Sequence, residues 1–205
     1  DRCVWRPDGK EANDLEIISN KSKGNVIAHN TFLKSFGQIC LRHGDDAVVD
    51  GNFIFGSGYY SADGKSILLE ATPNVHQSGI RVIGKGHTIR NNYLVNLVGD
   101  ELRAALCVMG GESTFKDGNG EGGTNGYEAA DYSKIYNNTF IGCKQINLGF
   151  RKNGTLLPQN VQIYNNAWQG NSSSAGVILS NGFSASQMLG SGGNYFYHPN
   201  GKYGS

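Results

Sequence analysis

A short phrase, apolar-x-x-Asn-x-apolar, returns along the chain and limits the folds open to it. It stands at Ile27-Ala28-His29-Asn30-Thr31-Phe32, Val49-Asp50-Gly51-Asn52-Phe53-Ile54 and Ile89-Arg90-Asn91-Asn92-Tyr93-Leu94. It returns at Ile135-Tyr136-Asn137-Asn138-Thr139-Phe140 and Ile163-Tyr164-Asn165-Asn166-Ala167-Trp168, with a weaker copy at Gly193-Asn194-Tyr195-Phe196. The asparagines lie 22, 40, 46, 28 and 28 residues apart. Self-similarity at such periods marks a solenoid or array. Short β-rich runs punctuated by Gly and Asn favour strands over helices. These features predict an all-β chain coiled as a right-handed parallel β-helix, with an Asn at one corner tolerating the left-handed backbone conformation while bonding its neighbours. The longer intervals are expected to carry loops of roughly 15–20 extra residues.

A second series of runs keeps a similar phase: Glu16-Ile17-Ile18-Ser19, Ile39-Cys40-Leu41-Arg42, Gly79-Ile80-Arg81-Val82-Ile83, Ala105-Leu106-Cys107-Val108-Met109, Ile146-Asn147-Leu148-Gly149-Phe150 and Val177-Ile178-Leu179-Ser180. We read them as one sheet stacked turn on turn. An antiparallel sandwich also has short strands and Gly-rich turns, but it does not explain one motif recurring at one phase. Residues 1–205 then form a single solenoid domain, with a Gly-rich loop insertion at about 110–134. Neither end reads as a cap, so the chain is expected to be a piece lacking N-terminal turns.

Thirty glycines, four prolines and 17% charged residues suit a turn-rich β protein. A formal net charge of +1 gives no global field to recruit nucleic acid or an anionic membrane. No apolar run is long enough for a spanning helix. Cys3, Cys40, Cys107 and Cys143 are too widely spaced for a zinc pattern, and Cys40 and Cys107 lie inside apolar runs, so all four are read as structural.

The chemistry concentrates near the start. Asp14 and Glu16 are one residue apart, so on an extended strand they share a face and could hold a divalent cation through oxygen ligands. Lys21 follows five residues later, and Arg42 lies 21 residues beyond it. A coil of that period sets Lys21 and Arg42 on adjacent turns, with strands ~4.8 Å apart. A lysine acts as a base only with a neutral amine, a form that a neighbouring guanidinium and a bound cation favour by like-charge repulsion. An arginine stabilises a developing oxyanion or lends a proton to a strongly basic leaving oxygen. A metal gripping a carboxylate acidifies the hydrogen on the adjacent carbon. Together these parts describe β-elimination from a uronic acid. Hydrolysis fits less well, because no second carboxylate stands across from the first pair.

The blocks Glu16-Ile17-Ile18-Ser19-Asn20-Lys21-Ser22, Arg42-His43-Gly44-Asp45 and Gly79-Ile80-Arg81-Val82-Ile83-Gly84, with Asn91-Asn92-Tyr93 after His87, closely resemble polysaccharide lyase family 6. That family holds the alginate lyases and chondroitinase B, which are right-handed parallel β-helices. The resemblance implies that Lys21 is the Brønsted base, that Arg42 is the acid, and that Asp14 and Glu16 bind a Ca2+ that neutralises the uronate carboxylate. Position 14 is Asp where the family has Glu. The family's third calcium ligand, an Asn some thirty residues before the acidic pair, falls before Asp1, so a missing N-terminal segment or a second chain is expected to complete the coil.

His43, Arg81, His87 and Arg103 are candidate substrate-binding residues. The runs 79–84 and 104–111 look like the alginate branch, which makes an anionic polysaccharide, alginate, the expected partner of a secreted or periplasmic enzyme. The alternatives are a chondroitin or dermatan lyase, a non-catalytic polysaccharide-binding β-helix, and a structural repeat. Within the Gly-rich insertion, Asp117 to Glu128 approximates a calcium-loop pattern, but no helices flank it, and a polar loop overhanging the cleft is the better reading.

Overall fold

The computed structural model describes residues 16–33, 37–56, 77–112, 126–150, 156–170 and 174–199, and a short antiparallel pair, Tyr59–Tyr60 with Ile67–Leu68. Eighteen strands form three parallel sheets of six, and each turn of the coil gives one strand to each sheet. The first sheet stacks Glu16–Asn20, Gly37–Leu41, Gln77–Val82, Leu106–Met109, Gln145–Phe150 and Gly176–Leu179. The second stacks Val26–Ala28, Val48–Asp50, Thr88–Arg90, Lys134–Tyr136, Val161–Tyr164 and Met188–Gly192. The third stacks Thr31–Leu33, Phe53–Phe55, Tyr93–Val95, Thr139–Ile141, Ala167–Gln169 and Tyr195–Tyr197. This is the parallel β-helix expected from the repeat.

Columns of like residues fill the interior. Phe32, Ile54, Leu94, Phe140, Trp168 and Phe196 are paired in register through the third sheet. Ile39, Ile80, Leu106, Ile146 and Val177 do the same in the first. Burying each such side chain stabilises the coil by about 1.5–3 kcal/mol. Because strand side chains alternate, the neighbours on either side of each column face outward.

The asparagines form a continuous ladder beside this core. Asn52 Oδ1 accepts from the backbone N–H and Nδ2 of Asn30 at 3.0 and 3.1 Å. The same double contact links Asn52 to Asn92, Asn92 to Asn138, Asn138 to Asn166 and Asn166 to Asn194. One expectation is corrected here. The left-handed residue at each corner is the one before the ladder asparagine: His29, Gly51, Asn91, Asn137, Asn165 and Gly193 all have φ between 53° and 64°. That residue turns the chain, which frees the ladder asparagine to point inward at its copies. The extra residues of the 46-residue interval are also divided, between Val95 and Leu106 and between Met109 and Lys134.

The first sheet departs from simple alternation. Its outward-facing Cys40, Arg81, Cys107 and Asn147 are as buried as its core-facing residues. The short 3-10 turn Glu101–Arg103 lies against the third to fifth turns of this sheet, and Tyr127 and Phe150 pack on the cluster of Cys40, Ile83, Ala104, Cys107 and Met109. The outer face is therefore roofed over most of its length. It opens toward the first two turns, where Lys21 is exposed and Arg42 half-buried.

Candidate active site

Pairing in the first sheet runs Ser19 to Cys40 and Asn20 to Leu41, so Lys21 and Arg42 follow as neighbours across the two turns. The backbone N–H groups of Arg42 and His43 both donate to the Asn20 carbonyl, at 2.9 and 3.2 Å. This shared acceptor ends the strand and starts the turn that presents both side chains. Positions 16 and 21 differ by an odd number and would face opposite sides of a regular strand. A register shift between Glu16 and Ile18 rotates the strand by one residue. Glu16 thereby joins Ser19 and Lys21 on the outer face.

The turn carrying Lys21 is built by its own side chains. Asn20 donates to the Ser22 carbonyl at 3.2 Å, and Asn25 Nδ2 bonds Ser22 Oγ at 2.7 Å and also reaches Asn20 Oδ1. Gly44 on the next turn has φ +114°, and a Cβ there would stand 2.5 Å from the carbonyl carbon of Ser22 and 2.9 Å from the nitrogen of Lys23. Glycine at 44 lets the arginine turn rest directly on the lysine turn. Any larger residue would push the two apart.

Arg42, Glu16 and Arg81 form one ion-pair chain. Glu16 Oε1 accepts from Arg42 at 3.2 Å and from Arg81 at 2.7 Å. Arg81 is sealed beneath, its side chain 2% exposed against 22% for that of Arg42. It also donates through Nε to Cys40 Sγ at 3.1 Å. With its amide oxygen turned toward Arg81, Gln38 accepts from the guanidinium at 3.2 Å and donates to the Leu102 carbonyl at 3.1 Å. Burial alone would raise the Glu16 carboxyl, but hydrogen bonds from Ser19 and Cys40 and the charges of Arg81 and Arg42 hold it below the usual range. Burial pushes the Cys40 thiol up to about 12, so it stays a neutral partner. The Arg42 Nε is buried without a hydrogen-bond partner among the described residues. A buried donor left unmet is costly.

His43 stands within electrostatic reach of Arg42, Lys21 and Glu16. Burial first, then Arg42 and Lys21, hold its imidazole below the ordinary histidine value, against the opposite pull of Glu16. The structure therefore brings Lys21, Arg42 and His43 together at one strand end, with Arg42 and Arg81 both paired to the Glu16 carboxylate.

A model of the chondroitinase B family matches residues 9–165. The chain belongs to polysaccharide lyase family 6. Among solved structures this family 6 chain is similar to the alginate lyase AlyGC, at 29% identity and a TM-score of 0.68. That match covers 93% of this chain and 24% of AlyGC. A mannuronic acid-specific family 6 lyase from human gut microbiota is 27% identical with a TM-score of 0.61, over 85% of this chain and 34% of the lyase. An alginate lyase solved with a trisaccharide shares the fold, with a TM-score of 0.62 at 22% identity, over 89% of this chain and 38% of that one. The chain thus spans about a quarter to two fifths of the length of these relatives. Comparison with curated proteins gave no match.

Two expectations for this family 6 chain are corrected by the geometry. His87, a candidate for touching substrate, is wholly buried. Its Nδ1 accepts from the Ala47 N–H at 3.1 Å and its Nε2 donates to the Ile83 carbonyl at 2.9 Å, so the neutral ring ties the second turn to the third. Burial holds this imidazole below its ordinary value. Arg81, expected to bind a uronate carboxylate directly, is enclosed and spends its charge on Glu16. Glu16, expected to ligate calcium together with Asp14, gives its Oε1 to two guanidinium groups. Among the described residues no three His, Cys, Asp or Glu side chains converge as a metal site.

Asp14 and the Asp117–Glu121 pattern lie outside the described residues. Arg103, half-buried, belongs to the 3-10 turn over the third to fifth turns rather than to the Lys21 cluster. Sequence reasoning missed Gln38, Cys40 and Gly44. The first two alternate with Arg42 along one strand, a period-two signal that was there to read.

Proposed function

We propose that this chain carries the catalytic residues of a lyase that cleaves a 1,4-linked uronate polymer, alginate, by β-elimination. The juxtaposition of Lys21 and Arg42 on neighbouring turns, under one shared carbonyl acceptor, supports this reading most directly. Lys21 removes the C5 proton of the uronate in the cleaved linkage. The electron pair left on C5 forms the C4–C5 double bond as the C4–O bond breaks. Arg42, half-buried at the end of its strand, stabilises the departing oxygen through its guanidinium and supplies or relays its proton. Glu16 fixes the far edge of the Arg42 guanidinium, and buried Arg81 in turn fixes Glu16. His43, held neutral, is free to hydrogen-bond the substrate carboxylate or sugar hydroxyls. The residues described do not by themselves fit a calcium site, so no step is assigned to a metal.

Alginate is preferred to chondroitin because similar structures above 25% identity are described as an alginate lyase and a mannuronic acid-specific lyase. A polymer of this size is degraded outside the cytoplasm, which makes the enzyme secreted or periplasmic. The test is absorbance near 235 nm, from the unsaturated uronate, during incubation with polymannuronate, polyguluronate, chondroitin sulfate and dermatan sulfate in turn. Product from the first two alone is the expected result. Product from only the sulfated polymers would move the chain to the other branch. Binding without product from any polymer would make it a carbohydrate-binding β-helix.

A further inference from the structure

The outer face of the second sheet carries a recess with no part in the chemistry above. Through the first five turns, the two outward positions of each strand bear side chains: Val26 and Ala28, Val48 and Asp50, Thr88 and Arg90, Lys134 and Tyr136, then Gln162 and Tyr164. On the sixth turn both positions are glycine, Gly190 paired with Gln162 and Gly192 with Tyr164. A Cβ at either glycine would meet nothing within 4 Å. One face of the Tyr164 ring stacks on Tyr136, with centroids 4.8 Å apart and planes 5° from parallel. The other face looks over Gly192 into a recess of about 360 Å³, rimmed by Gln162, Asn165 and Ser191. That size lies in the lower part of the range for small-ligand sites, roughly 300–1,000 Å³.

We propose that this recess binds one pyranose ring of a polysaccharide, as an anchoring site separate from the Lys21 cleft. The uncovered tyrosine face suits the C–H face of a sugar, since the ring's quadrupole is negative there and pyranose C–H groups are weakly positive. The amides of Gln162 and Asn165 each offer a donor and an acceptor, and Ser191 offers a hydroxyl, a set that matches neighbouring sugar hydroxyls. Among the described residues no charged side chain lines the recess. The contact therefore reads ring shape and hydroxyls rather than carboxylates, and salt does not weaken it.

The test is affinity electrophoresis of the whole chain through gels containing polymannuronate, in a Lys21→Ala background so that the polymer is not cut. Buffers with and without about 1 M sodium chloride, where ionic attraction is screened within about 3 Å, separate the two sites. Retardation at high salt is expected. Tyr164→Ala is expected to weaken it roughly twofold to tenfold, and Gly192→Val, which fills the recess beside an intact ring, to do the same. Tyr164→Phe is expected to change it less than twofold. Loss of all retardation at high salt, or full affinity in both Tyr164→Ala and Gly192→Val, would overturn the proposal. High-salt retention by a chain that yields no unsaturated product from any polymer would keep the recess and reject the lyase reading.

Discussion

Two corners of the same coil are built from the same materials and do different things. At the corner between the second and third sheets, an asparagine recurs on every turn, and each copy satisfies the next through paired bonds of 2.9–3.1 Å. At the corner that ends the first sheet, the residues change from turn to turn: Lys21, then Arg42, then Ile83, which is buried and donates its N–H to the Leu41 carbonyl. The repeated corner leaves its amides paired. The varied one sets exposed Lys21 beside half-buried Arg42. Repetition lets identical side chains cancel one another's hydrogen-bonding needs, which stabilises the coil. Variation breaks that cancellation and leaves a charged side chain, Lys21, exposed.

The contrast can be broken by substitution. Lys21→Ala should cost about 10²–10⁴ in kcat, the range of general-base contributions, with the melting temperature unchanged because the side chain is exposed. A large loss of stability instead would show that the varied corner is structural. Asn92→Ala should do the reverse. It strips the partner from the Asn52 N–H and Nδ2 and from the Val49 carbonyl. At about 1–3 kcal/mol for each buried group left unmet, denaturant unfolding should register a loss of roughly 3–5 kcal/mol.

Arg81 lies between these extremes, structural by burial and functional by contact. Arg81→Met should destabilise by about 3 kcal/mol by stranding Glu16 and should lower kcat about tenfold as Arg42 loses its anchor. Adding Glu16→Gln should recover most of the stability and little of the rate. Recovery of both would mean that Arg42 needs no bracket.

Acid sharpens the comparison further. His87 and His43 are both held below the ordinary value near 6.5. Between the folded and unfolded values the unfolded chain binds more protons, so stability present above about pH 6.5 is lost as pH falls toward the folded value. Unfolding midpoints at pH 7 and 5 should differ on the order of 1 kcal/mol, and His87→Gln should flatten the difference. The smallest effect expected is that of EDTA. With Glu16 engaged by two arginines, removing divalent ions should change kcat less than about twofold; a larger loss restored by calcium would mean that Glu16 leaves Arg81 for a metal.

Much of the coil was legible because its cause is local and repeated. A motif at one phase needs no knowledge of distant contacts, and the asparagine spacing alone places the turns. The pairing of Lys21 with Arg42 followed from the same period. What escaped the reading depended on departures from regularity. The register shift after Glu16 is not encoded by any one residue. The roofing of the first sheet, which encloses Arg81, depends on a segment near residue 102 folding back over it. His87 looked like a ligand because its type is chemically able; only its enclosure between Ala47 and Ile83 reveals a structural tie.

The amino-acid order by itself settled the period of the winding, the ladder that stabilises it and the placing of Lys21 beside Arg42 on adjacent turns, because strand alternation and corner chemistry act over a few residues at a time. Which polar groups reach water and which are consumed by one another was decided only by three-dimensional packing. A carboxylate five positions from a lysine carries no mark of whether it will meet a cation or two guanidinium groups. That outcome depends on a bulge, a buried arginine 65 residues away and the low-dielectric space they share.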